Sequence, residues 1–225
     1  MLILEDEKEI LEANYPTIIP LLVTETDGDI EIEAYAGIEE IATEFHGSFH
    51  NRYFTKEAID WLDQRLLPYV ESLGYLRECT GKYRWYRSFS CQNRSSLQVD
   101  CIRRDSVLLS DGRYDSLLSF PYSEQLEKGL PSYVSFADGK LVSIATVNEH
   151  TDGQKMLELT VETAIGYRGR GLGLSNIVAL ADYLLENGYY VSYNCSRYNR
   201  ASCKLAVKAG LEQVGRFYAY AAYKL

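Results

Sequence analysis

The chain has 225 residues, 46% of them hydrophobic and 24% charged, enough for one large domain or two small ones. A formal net charge of -9 is a poor match for a polyanion, so general DNA or RNA binding is disfavoured and a cationic partner mildly favoured. The cysteines, Cys79, Cys91, Cys101, Cys195 and Cys203, are odd in number and form no CxxC pair, which argues against a zinc ribbon or a disulfide framework.

The opening "MLILEDEKEI" is acidic from its fifth residue and has neither the basic nor the apolar region of a signal peptide. "IIPLLV" is too short to span a bilayer and contains a proline. The expectation is a reduced, cytoplasmic chain with no membrane partner. The glycosylation-like triplets at Asn93 and Asn194 then carry no meaning.

Residues 5–14 are expected to form a short acidic helix. "TIIPLLV" and "DIEIEAYAG" follow as strands, parted by the turn-forming "TETDGD". Next, Ala58, Trp61, Leu62, Leu66, Val70 and Leu73 recur at helical spacing. Thr55 suits the N-cap, Gly74 the stop, and Pro68 predicts a kink or break. "YRWYRSFSC" and "SLQVDCIRR" alternate roughly as strands do. The first ninety or so residues therefore form an α+β portion, 1–92, with a boundary near Cys91–Leu97 before a second portion, 93–225.

The second portion has sharper signals. "SYVSFADGKLVSIATVNE" is a hairpin turned by Asp138-Gly139. "KMLELTVETAI" sets Leu157, Leu159, Val161 and Thr163 against Glu158, Thr160 and Glu162, as in a half-buried strand. The loop "AIGYRGRGLGLSN" comes next, and from Gly171 the apolar spacing turns helical until Asn187-Gly188. "YYVSYNC" is a strand, and Asn199 can cap a helix through "RASCKLAVKA" that Gly210 stops. "LEQVGRFYAYAAYKL" closes the chain as one or two strands around Gly215. Such an order permits a mixed α/β fold with a largely antiparallel start and one βαβ-like step.

A strand that runs into a glycine-rich loop opening a helix presents free backbone N–H groups and the positive end of a helix dipole, where a diphosphate can sit. The chain has no P-loop motif, and GxGxG late in the sequence does not suit a dinucleotide fold. The remaining form is Arg-x-x-Gly-x-Gly, from Arg168 through Gly169, Arg170, Gly171 and Leu172 to Gly173. It resembles the pyrophosphate loop of the GNAT superfamily of N-acetyltransferases. Asn199, Ser202, Leu205, Gly210 and Leu211 stand at the intervals of that family's following helix. The resemblance covers roughly residues 130–225. "VETAIGYRGRGL", "NCSRYN" and "FYAYAAY" are similar to a bacterial branch that carries a divergent N-terminal region.

The resemblance implies an α/β (α+β) fold of GNAT type: a mixed, mostly antiparallel twisted sheet flanked by helices, with an N-terminal α+β extension. It implies acetyl-CoA as cosubstrate, held by main-chain groups of Val161 and Thr163, by the loop from Arg168 to Gly173, and by Asn199, which also suits a plain N-cap. The partners would be acetyl-CoA and an amine-bearing acceptor, in a monomer or a homodimer. Attack of a neutral amine on a thioester benefits from a base and an acid. Glu158 and Glu162 share one strand face and are the base candidates, Glu158 preferred; an exposed strand face is the simpler account of each taken singly. Ala206 stands where many members carry a tyrosine near the thioester sulfur. Tyr193, Tyr198 and Cys195 are nearby alternatives, and the departure leaves room for a non-catalytic acyl-CoA-binding module.

Two weaker signals remain. His46 and His50 have metal-compatible helical spacing but no evident third ligand, so no metal is expected. "YRWYR" could stack on bases, but aromatic packing on a solvated strand accounts for it in so acidic a chain.

Overall fold

A computed structural model of the chain describes residues 1–77, 85–109, 114–148 and 155–224. Cys79 lies outside the described residues, as does Arg84 of "YRWYR". The chain folds as two compact units: Met1–Arg87 together with Gly215–Leu225, and Ser88–Val214. Their limits therefore differ from the 1–92 and 93–225 segments chiefly at the C-terminus.

In chain order the first elements are β1 (Leu2–Glu5), α1 (Lys8–Glu12), β2 (Thr17–Thr26), β3 (Asp29–Tyr35), α2 (Glu39–Ser48), α3 (Lys56–Ser72) and β4 (Tyr75–Arg77). They continue with β5 (Trp85–Cys91), β6 (Val107–Leu109), α4 (Tyr122–Glu127), β7 (Ser132–Ala137), β8 (Lys140–Val147), β9 (Met156–Thr163), α5 (Leu172–Glu186), β10 (Tyr190–Ser196), α6 (Arg200–Ala209) and β11 (Glu212–Lys224). Among the described residues no helix is long and apolar enough to cross a membrane.

In the first unit β2 pairs antiparallel with β3 and with β11, and β1 adds to β3 in parallel. Ile18, Leu21, Val23, Ile32 and Ala34 bury one sheet face among Ala42 and Phe45 of α2 and Ile59, Leu62, Leu66 and Val70 of α3. Thr55 caps α3 by accepting from the Ala58 N–H. The helix runs unbroken through Pro68. The i−4 carbonyl that proline leaves without a donor belongs to Gln64, and both residues are exposed, so water can serve it.

The second unit carries a mixed sheet in the order β5-β10-β9-β8-β7-β6. β6, β7, β8 and β9 pair antiparallel, and β9 and β10 pair in parallel across α5, the expected βαβ step. Asp138 and Gly139 both take positive φ, as a two-residue hairpin turn requires. α5 and α6 cover one sheet face: Ile177, Val178, Leu180 and Leu184 with Ala206 and Ala209 pack on Ala145, Val147, Leu157, Leu159, Val191 and Tyr193. A smaller cluster on Ile144, with Val134, Leu141 and Tyr122 of α4, holds the other face. This mixed α/β architecture, with a largely antiparallel sheet flanked by helices, is the one expected.

One expected strand is absent. "SLQVDCIRR" forms 3-10 turns at Arg94–Ser96 and Val99–Cys101 instead. Asn93 Oδ1 accepts from the Ser95 N–H at 3.0 Å, and Ser96 Oγ donates to the Asn93 carbonyl at 2.8 Å. These local bonds satisfy backbone groups that a strand would have needed to pair elsewhere.

Candidate functional site

β9 and β10 are joined only at their beginnings. The paired residues are Met156 with Tyr190, Leu157 with Val191 and Glu158 with Ser192, yet β9 runs on to Thr163 and β10 to Ser196. On its other side β9 stays paired to β8 as far as Thr163. The Asn148 N–H donates to the Glu158 carbonyl and the Ala164 N–H to the Val142 carbonyl, each at 2.9 Å. Main-chain groups alternate along an antiparallel strand, so those of Glu158, Thr160 and Glu162 turn toward β8. Those of Val161 and Thr163 therefore turn toward the side from which β10 has diverged.

β9 ends in a 3-10 turn, Ile165–Tyr167, and the glycine loop. Gly169 and Gly171 have φ of +75° and +83°, and a Cβ on either would meet nothing within 4 Å. Gly171 occupies the N-cap of α5 with no side-chain cap, which leaves first-turn N–H groups open to a ligand. Gly173 packs closely: a Cβ there would lie 3.0 Å from Thr163 Oγ1 and 3.4 Å from Val161 Cγ2. The absence of a side chain at Gly173 is what lets the start of α5 lie on the end of β9.

The loop arginines brace the loop itself. Arg168 Nε donates to the Thr163 carbonyl and Arg170 Nη2 to the Gly166 carbonyl, both at 3.0 Å. The Arg170 guanidinium also lies 4.9 Å from the centre of the Tyr167 ring. Both arginines and Gly166, Gly169 and Gly171 are exposed, so this part of the loop is a positively charged rim. Asn199 Oδ1 accepts from the Ser202 N–H at 3.1 Å and caps α6.

The candidate acid and base groups divide between the two sheet faces. Glu158 and Glu162 share one face of β9, and Glu158 is half-buried beside Ser192. Glu162 is engaged: Oε1 accepts from the Ser119 N–H at 3.0 Å and its hydroxyl at 2.9 Å, and Oε2 from the Phe120 N–H at 2.8 Å. Burial works to raise its pKa, but these donors and the Arg168 charge prevail and hold it below the ordinary carboxylate value. It is a clasp on the segment before α4 and is poorly suited to take a proton. Replacing it with glutamine removes a charge-assisted clasp and is expected to cost about 1 kcal/mol at neutral pH. Because the folded-state pKa is depressed, the wild-type advantage is complete above the ordinary value of 4.5 and fades as pH falls through the lower folded value. Urea titrations of both proteins between pH 7 and pH 3 check the sign.

Tyr193 lies on the opposite face, buried, with its hydroxyl bonded to Ser202 Oγ. Burial raises its pKa most, the Ser202 bond lowers it, and Cys195, Cys203 and Glu158 raise it further, so the phenol stays protonated at neutral pH. Ala206 is fully buried, one helical turn beyond Ser202 on the same side of α6. The Cys195 and Cys203 sulfurs are 3.3 Å apart.

The histidine pair lies elsewhere, in the first unit. α2 ends at Ser48, so His46 and His50 do not share a helix. Tyr53 Oη lies 2.6 Å from His46 Nδ1 and 3.5 Å from His50 Nδ1. Among the described residues no group of three His, Cys, Asp or Glu side chains could hold a metal ion. Of "YRWYR", Tyr83 and Arg84 are outside the described residues and Trp85 opens β5.

Residues 121–220 match the family model described as GNAT acetyltransferase. No curated protein matches the chain. Among solved structures, an acetyltransferase of the GNAT family from Novosphingobium aromaticivorans is 16% identical, with 68% of each chain covered and a TM-score of 0.54. A GCN5-related N-acetyltransferase-like protein from Streptococcus suis is 20% identical over 76% of this chain and 68% of its own, with a TM-score of 0.47. An acetyltransferase from the GNAT family of Colwellia psychrerythraea is 16% identical over 70% of this chain and 62% of its own, with a TM-score of 0.48. The fold likeness rests on the first of these. Residues 121–220 are thus similar to a GNAT acetyltransferase domain, and the fold is of the kind seen in that family.

Proposed function

We propose that the protein is an acetyl-CoA-dependent N-acetyltransferase that moves an acetyl group to a primary amine by direct transfer in a ternary complex. The observation that carries this reading is the divergence of β10 from β9 at a point where β9 leads straight into the glycine loop. An extended thioester arm can lie along the main-chain groups of Val161 and Thr163, with its diphosphate at the N–H groups from Gly169 to Gly173. The open space at the missing Cβ atoms of Gly169 and Gly171 fits such a group. Asn199, at the α6 N-cap, would border the arm, as the family resemblance implies. In this reading residues 93–225 supply the acetyl-CoA-binding core and residues 1–92 the divergent region.

In the chemical step the amine nitrogen bonds to the acetyl carbonyl carbon and the carbon–sulfur bond breaks. The amine proton passes to Glu158, directly or through water, and the leaving sulfur takes a proton from Tyr193. Glu162 is set aside as the base because its carboxylate is occupied by Ser119 and Phe120. Tyr193 suits the acid because it stays protonated and reaches the α6 face that carries Ala206. Glu158→Gln is expected to lower kcat about 100-fold while the Kd for acetyl-CoA changes less than about threefold. Thiol release measured with a panel of amines tests the activity itself.

A second reading has Ala206 in its favour: a small buried residue stands where the family resemblance implies a phenol. In that case the fold binds acyl-CoA without turnover. Tight acetyl-CoA binding with no thiol release on any amine would select it. The setting proposed in either reading is cytoplasmic, in keeping with the odd number of cysteines and the net charge of -9.

A further inference from the structure

Arg103 was not marked by any sequence signal, yet it joins the glycine loop at two points. It follows the 3-10 turn Val99–Cys101 in the second unit. Its backbone N–H donates to Ser175 Oγ in the first turns of α5 at 2.6 Å. Its Nη1 donates to the Arg170 carbonyl at 2.7 Å. The other arm of the fork, Nη2, is held by Asp105 Oδ2 at 3.0 Å. The side chain thus bridges a fixed carboxylate and one chosen carbonyl of the loop.

That carbonyl controls the next N–H. No cis peptide occurs among the described residues, and in a trans peptide the carbonyl and the following N–H point in opposite directions. The Thr163–Ala164 peptide at the end of β9 displays the rule with both ends engaged. Arg168 holds the Thr163 carbonyl from one side, and the Ala164 N–H bonds the Val142 carbonyl on the other. By the same geometry, the Arg103 grip on Arg170 turns the Gly171 N–H away from Arg103. Gly171, at φ +83°, would otherwise permit several orientations of this peptide.

We infer that Arg103 is a positioning residue of the loop: by holding the Arg170 carbonyl, with Asp105 holding its fork, it aims the Gly171 N–H at the ligand's diphosphate. The inference rests on the acyl-CoA reading. Arg103 touches none of the reacting atoms, so its effect falls on capture of the cosubstrate and leaves the chemical step alone.

The test measures the Kd of coenzyme A, and of pantetheine as a probe without diphosphate, for the unaltered protein, Arg103→Ala and Asp105→Asn. Arg103→Ala is expected to weaken coenzyme A about tenfold or more, with pantetheine affinity and the thermal midpoint little changed. In turnover, the KM for acetyl-CoA rises and kcat at saturation is retained. Asp105→Asn separates positioning from bulk charge. It removes a negative charge near a diphosphate site, so electrostatics alone predicts tighter binding. Loss of Arg103's anchor predicts binding about threefold weaker. Unchanged coenzyme A affinity in Arg103→Ala, or tighter binding in Asp105→Asn, overturns the inference while leaving the acyl-CoA site intact. Failure of the unaltered protein to bind coenzyme A removes the site and the inference together.

Discussion

Gly171→Val is expected to raise the Kd for coenzyme A at least about 100-fold while leaving a folded protein. Two effects combine. The residue sits at φ +83°, where a β-branched side chain is strained by about 1–2 kcal/mol. The simplest relief is rotation of the backbone, which moves the Gly171 N–H and the first-turn donors of α5 out of line. Each charge-assisted bond lost to a diphosphate is worth about 1.5–3 kcal/mol, so two of them account for the expected change. The new side chain would also project into the open space before the loop, since a Cβ there meets no neighbour. Gly171→Ala keeps the strain with less bulk and should weaken binding about tenfold. Calorimetric titration of the three proteins distinguishes the steps, and equal affinities would remove the loop from the site.

The largest stability effect is expected at Gly210→Ala, on the order of 3–5 kcal/mol. Gly210 ends α6 with φ +90°, and a Cβ there would lie 2.0 Å from the Ser96 carbonyl oxygen and 3.0 Å from Leu97 Cα. Both obstacles are backbone, and that backbone is tied down by the Gln98 N–H bond to the Ala209 carbonyl at 3.1 Å. Neither side can yield without breaking the contact between the 3-10 turns and α6. Gly188→Ala is the control. It ends α5 at φ +83° with nothing within 4 Å, so only the left-handed strain of about 1 kcal/mol applies. The thermal midpoint should fall roughly 10 °C for Gly210→Ala and only about 3 °C for Gly188→Ala. Similar losses in the two variants would mean that the close approach to Ser96 contributes nothing.

What the sequence disclosed was local in origin. The β7–β8 hairpin follows from Asp138-Gly139, β9 from its alternation, and the ends of α5 and α6 from Gly171, Asn199 and Gly210. Each signal lies within a few residues of the structure it specifies. Pro68 does not break α3, because its penalty falls on a single exposed carbonyl, which packing of Leu62, Leu66 and Val70 outweighs. "SLQVDCIRR" misled because alternation of apolar residues does not register the competing bonds of Asn93 and Ser96.

The unread features depend on partners far along the chain. β1 joins β3 in parallel across α1 and β2, and no short-range turn signal announces that pairing. Glu162 looked like a free carboxylate on a strand face, but its donors, Ser119 and Phe120, come from more than forty residues earlier. Arg103 reaches Arg170 across 67 positions, and nothing in "CIRRDS" distinguishes it from Arg104. The glycine loop was thus legible as an open strand-to-helix turn, while the Arg103 bond that reaches it and the carboxylate that is occupied elsewhere were not.

An acyl-CoA thioester between β9 and β10, with its diphosphate on the glycine loop, should leave its mark in hydrogen–deuterium exchange with and without saturating coenzyme A. The expected result is slower exchange confined to the end of β9, the loop from Arg168 through the first turn of α5, and the start of α6 near Asn199. Binding that protects the first unit instead, or saturation with no change in the loop amides, would contradict it.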